Sequence, residues 1–213
     1  MARYIDSVKA MKNIIRKNMN VLGTSLMLLS LISCAPAVTV QYYRPSSIEG
    51  VVVNAHCPPV DSFVLFEEHD IIIGAQVVFS EKGNVSTTIT FEVPKDKTVR
   101  LLNKDVRINM PSQGLSKVRL SGYTWTGPGR TSDFSPETPL VGATKKNFLF
   151  KQVTLYGTTN HAYYVFHASI DVLKPEQVII KIPKFSVDGS EVELPEIKFD
   201  WSSKFFNVYP ANC

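Results

Sequence analysis

The sequence predicts an all-β protein, an antiparallel β-sandwich with an immunoglobulin-like architecture, standing behind a cleavable leader. Three observations predict it. In the second half of the first hundred residues and beyond, apolar side chains recur with a period of two in short runs. Gly, Pro, Asn or Asp bounds these runs, as strand ends require. No stretch after the leader carries a convincing helical period.

The clearest strand is 85–93, where Val85, Thr87, Ile89, Phe91 and Val93 share one face, and Ser86, Thr88, Thr90 and Glu92 share the other, which reads as the wet one. Similar runs occupy 51–54, 62–66, 71–80, 98–102, 106–110, 117–123, 148–156, 162–172, 177–182 and 192–199. Asp188-Gly189 is the best local turn, because Asp and Gly accept the positive φ angles of a two-residue hairpin; it should join 184–187 to 190–194. Pro94, Pro183 and Pro195 must stand at strand ends or edges, since proline cannot donate to a ladder.

Two segments depart from this pattern. Residues 35–47, with Pro36 and Pro45, read as a tether, although Val38, Val40 and Tyr42 alternate and could add an edge strand. Between Tyr123 and Lys146 a run rich in Gly, Pro, Ser and Thr is too long for a plain hairpin and reads as a functional loop or a linker. As a linker it would split the chain near residue 130 into two β halves, each marginal alone. The expected organisation is 1–33 leader, 34–47 tether and 48–213 sandwich.

The leader follows the three-part plan of a secretory signal: a basic stretch from Met11 to Asn20, a short apolar run from Val21 to Ile32, then small residues. An apolar run of about 12 residues is short for a membrane-spanning helix. It ends in Leu31-Ile32-Ser33-Cys34, which resembles the lipobox of bacterial lipoproteins. That resemblance covers the leader alone. It implies that the Cys34 thiol receives a diacylglycerol, that residues 1–33 are removed, and that the new amino group is acylated with a fatty acid such as palmitate. Two or more acyl chains give stable anchoring where one is marginal. Ala35 replaces the Asp that marks inner-membrane retention, so the resemblance implies the outer membrane. The stretch before Met11 is long for such a leader, and Met11 is the expected start.

With Cys34 taken by lipid, Cys57 and Cys213 remain as a pair in an oxidising compartment, where a disulfide between them is expected. It would contribute up to about 5 kcal/mol in the chain-entropy account.

The formal charge of +4 belongs to the leader: residues 1–33 hold five of the 23 Lys and Arg and one of the 19 acids, leaving 18 of each from Cys34 onward. A neutral mature chain lacks the cation excess that nucleic-acid binding needs. No Gly-x-Ser-x-Gly elbow, His-Glu-x-x-His, Walker loop or dinucleotide fingerprint occurs. The expectation is a non-catalytic protein without cofactor or metal. Glu67-Glu68-His69-Asp70 reads as a solvated turn rather than a calcium site. His161 and His167 lie about 20 Å apart on one strand and cannot share a metal. Tyr123, Trp125, Arg130 and Phe134 are the candidate binding residues, because aromatics and Arg anchor protein or sugar recognition, although Trp125 could instead cover a sheet edge. These residues point first to an envelope protein as partner, second to a glycan or small ligand, and last to a hydrolase with a cryptic acidic site.

Overall fold

The computed structural model describes residues 37–46, 49–54, 60–80, 83–127, 130–142, 150–154 and 157–207; for 37, 123–127, 130–134, 150–154, 157–160, 206 and 207 the backbone alone is described. The chain divides into two compact units, 1–39 with 205–213, and 40–204. Of the first, the described part is the beginning of one strand and the end of another. The second holds the sandwich, and residue 130 marks no division within it.

Seventeen strands are described: β1 (Ala37–Pro45), β2 (Val51–Asn54), β3 (Asp61–Glu68), β4 (Ile71–Phe79), β5 (Asn84–Pro94), β6 (Thr98–Leu101), β7 (Asp105–Met110), β8 (Gly114–Arg119), β9 (Ser121–Gly127), β10 (Arg130–Phe134), β11 (Leu140–Val141), β12 (Phe150–Thr154), β13 (Gly157–Asp171), β14 (Gln177–Lys181), β15 (Phe185–Val187), β16 (Ser190–Val192) and β17 (Ile197–Asn207). They form an eight-stranded sheet, β10-β9-β13-β5-β4-β3-β2 with β12 also on β13, a five-stranded sheet, β1-β17-β14-β7-β8, and a four-stranded sheet, β11-β6-β15-β16. The chain is therefore all-β and its registered pairings are antiparallel.

One hydrophobic cluster joins the three sheets. Val85, Ile89, Phe91 and Val93 of β5 are fully buried, as their shared face predicts, and Phe91 meets Phe166 of β13 and Phe185 of β15 edge to face at 5.9 and 5.3 Å. Phe79 of β4 reaches Trp201 of β17 across the layers at 6.5 Å. Sandwich packing of this kind follows when each sheet has one apolar face to remove from water.

Local chemistry fixes the turns. Val187 pairs with Ser190, and Asp188 and Gly189 take φ of 50° and 92°, the two-residue hairpin expected at that site. His69 and Asp70 do the same between β3 and β4, at φ of 50° and 68°. Lys97 Nζ links the two turns, 3.6 Å from Asp70 and 3.5 Å from Asp188. At Gly74 of β4 a side chain would run into the Phe63 ring and Thr90, so the missing Cβ is what lets Phe63 lie over the sheet.

The structure corrects several expectations. Tyr43, inside the segment read as tether, is fully buried; its hydroxyl donates to the Pro175 carbonyl at 2.6 Å, and its ring meets Trp201 at 5.0 Å. The edge-strand alternative is thus realised in β1, with its core face on Tyr43 rather than on Val38, Val40 and Tyr42. The run 117–123 is broken at Leu120, which is buried and donates its N–H to Lys104, so that β8 and β9 belong to different sheets. The run 192–199 is broken around Pro195, which cannot donate to a ladder. The break after Tyr123, expected to be a functional loop or a linker, contains a hairpin, β9 with β10. The wet face of β5 is wet at Ser86 and Thr88 only in part, and Thr90 is buried outright.

Candidate functional site

The four candidate binding residues fall on the β9–β10 hairpin, at one edge of the eight-stranded sheet. Asp133 stands opposite Tyr123, Thr131 opposite Trp125, Arg130 opposite Gly127 and Phe134 opposite Gly122. On its other side β9 pairs with β13, with Tyr123 opposite Val165 and Gly122 opposite Phe166. The hairpin register brings the backbones of Tyr123, Trp125 and Phe134 together on adjacent strands, with Phe134 one register step from the position opposite Tyr123. The side chains of Tyr123, Trp125, Arg130 and Phe134 lie outside the described residues, as do Cys34, Cys57 and Cys213.

At the opposite edge residues 49–54 are described. Strand β2 pairs with β3 alone among the described residues and carries a register shift at Val53/Asn54. Val51 and Val52, on alternate faces, are 50% and 39% exposed. Beside them lies a cavity of about 250 Å³ floored by Leu65, Phe66, Ile72 and Pro195 and rimmed by Glu49, Glu67 and Glu68. Gly50 enters it at φ of 90°, a conformation that favours glycine, and a side chain there would press on Val64 and on the Leu65 carbonyl. Among the described residues this edge thus leaves main-chain donors and acceptors unpaired next to an apolar hollow with an acidic rim.

A second constellation sits at the other end of the same row of pairings. Glu92 of β5 stands between Ile72 of β4 and Tyr163 of β13, its side chain 12% exposed and Oε2 without a hydrogen-bond partner. His161 Nδ1 approaches that oxygen at 3.7 Å. The distance would suit an ion pair, but burial acts on both groups toward neutrality: it pushes the Glu92 carboxyl up to about 7 and lowers the His161 imidazole from its usual value. Desolvation wins because a contact this long adds little against the loss of water around each charge. His167 is lowered by burial too, and its Nδ1 lies 3.2 Å from Thr88 Oγ1. The two histidines therefore have different neighbours.

No family model, no curated protein and no solved structure matches this chain. The chemistry of its surfaces is what speaks for function. A shifted carboxylate beside an imidazole is the kind of pair that moves protons. Glu67, the next carboxylate in the Glu92 row, lies two strands away beyond Ile72, at about 10 Å between backbones. Neither Glu92 nor His161 lines the cavity at β2 or a second one of about 350 Å³ formed by Arg44, Pro45, Ser46, Asp200, Trp201 and Ser202. That second cavity has the Trp and charged groups a sugar site uses, but Lys174 Nζ lies 3.6 Å from the Trp201 ring centroid and occupies a ring face that a sugar would stack on.

Of Glu67-Glu68-His69-Asp70, expected as one solvated turn, His69-Asp70 alone forms the turn, and the two glutamates border the hollow one step earlier. Nothing in the sequence signals this, because Gly50 and Pro195 reach the same hollow from distant parts of the chain.

Proposed function

We propose that this chain is a bacterial cell-envelope lipoprotein, carried on the outer membrane by acyl groups on Cys34, whose sandwich binds another envelope protein by accepting an extended segment at an edge of its eight-stranded sheet. It acts as a tethered assembly module and carries out no catalysis. The observation that carries this reading is β2, an outermost strand with Val51 and Val52 exposed beside a hollow of Leu65, Phe66, Ile72 and Pro195. Strand addition draws its affinity from main-chain hydrogen bonds and its selectivity from pockets for alternate side chains. The hollow suits an apolar side chain, and Glu49, Glu67 and Glu68 favour basic neighbours on the incoming segment. Lipid on Cys34 would confine the module to a surface and raise its effective concentration there. A Cys57–Cys213 disulfide belongs to the same reading, as does the β9–β10 hairpin, with Tyr123, Trp125, Arg130 and Phe134, as a second contact edge.

The test is photo-crosslinking in cells from the lipidated full chain, with the reactive residue at position 52 and, separately, at 125. A discrete protein adduct from position 52 is expected. Free lipoprotein alone at both positions would sink the partner-binding reading.

A further inference from the structure

Two leucines at one end of the five-stranded sheet stand largely in solvent. Leu173, in the connection from β13 to β14, is 84% exposed, and Leu115, at the start of β8, is 61% exposed. They are neighbours through Gln113, whose side-chain amide donates to the Leu173 carbonyl at 2.6 Å from the turn that precedes Leu115. The connection is not loosely held. Tyr43 donates to the Pro175 carbonyl, Trp201 donates its N–H to the Glu176 carbonyl at 2.8 Å, and Lys174 lies over the Trp201 ring. Leu173 is therefore displayed by a fixed backbone.

The direction of β1 says what could lie beyond that end. Ser46 donates its N–H to the Lys198 carbonyl, while Tyr43, three residues earlier, sits beside Trp201 and Pro175. Traced backwards, β1 runs from Lys198 toward the Leu173 connection, so Val40 is on that side. Cys34 precedes Val40 by six residues, a reach of at most about 20 Å when fully extended. Acyl chains on Cys34 would hold a bilayer within that reach of this end. The charges around Leu173 are the exposed Asp171 and Glu176 and a single cation, Lys174, which is committed to Trp201, so no basic excess draws this end to anionic headgroups.

We propose that Leu173 and Leu115 form a second membrane contact, dipping into the interfacial region of the bilayer that holds the anchor and fixing the sandwich upright on it. The contact rests on the lipoprotein reading. It is apolar, so it works on a zwitterionic surface, and it leaves the β2 edge turned to its partner rather than tumbling on the tether.

The test uses the lipidated full chain in phosphatidylcholine vesicles containing nitroxide-labelled lipid, with an environment-sensitive fluorescent amino acid encoded at 173, 115 or 102. Leu102 is the control: it is 52% exposed and pairs with Lys184, beyond the other end of β14. Blue-shifted emission and several-fold stronger quenching at 173 and 115 than at 102 is the expected result. Equal, aqueous behaviour at all three positions, on protein that floats with the vesicles, would overturn the contact while leaving the anchor intact. Protein that does not float would remove the anchor and the contact together.

Discussion

Glu92→Gln should make the protein more stable at pH 8 and leave it nearly unchanged at pH 4. In the fold the Glu92 carboxyl is pushed from 4.5 up to about 7 by burial. Between those values the folded chain holds a proton that the unfolded chain has released, so stability falls as pH rises, and the full loss is present above pH 7. At about 1.4 kcal/mol for each tenfold change in proton affinity, the gap amounts to about 3 kcal/mol. The side chain is 12% exposed, so solvent screens little of this. Glutamine occupies the same space without the charge, and His161 and His167 act in the opposite direction, their lowered values costing stability as pH falls below 6.5, so the effect of Glu92 is read at pH 8, where both imidazoles are neutral in the folded and the unfolded chain. Urea denaturation of both proteins at pH 4, 6 and 8 reads the effect. With a slope of about 2 kcal/mol per M, the midpoints should coincide at pH 4 and separate by about 1.5 M at pH 8. Parallel stability profiles across that range would refute the assignment of Glu92 as a buried carboxyl held toward its neutral form.

Phe91→Ala should cost about 3–5 kcal/mol, because it removes the ring that joins Phe166 to Phe185 across the layers, and thermal unfolding measures it. Gly142→Ala should be worse than Gly74→Ala in thermal unfolding: a side chain at 142 meets the Pro94 carbonyl, which is backbone, whereas at 74 it meets the Phe63 ring and the Thr90 hydroxyl, side chains that can shift for about 1–3 kcal/mol. Asp188→Val puts a β-branched residue at a φ of 50° and removes the acceptor for the Thr98 N–H, at about 1–3 kcal/mol, while Asp188→Asn keeps the turn and loses less than about 1 kcal/mol with the Lys97 contact; denaturant midpoints separate the two.

Much of the fold is legible along the chain because a strand that is apolar on one side records that side in its sequence. Val85, Ile89, Phe91 and Val93 do so plainly, and the Asp188-Gly189 turn is written in two residues. What alternation does not record is which sheet a strand joins. Leu120 keeps the pattern of 117–123 running while the backbone passes from one sheet to another. Nor does alternation register cover over an outer face, so Glu92 looks wet in sequence and is enclosed in the structure. The hollow at β2 is less legible still, since Gly50, Leu65, Ile72 and Pro195 come together only through the register of β2, β3 and β4 and the chain after β16.

The most direct test of the tethered-module account is the intact mass of the protein extracted from membranes of its own cells. The account predicts a chain that begins at Cys34 and carries a diacylglyceryl group on the thiol and an acyl group on the new amine. A chain that retains residues 1–33, or one whose Cys34 thiol is unmodified, would contradict it.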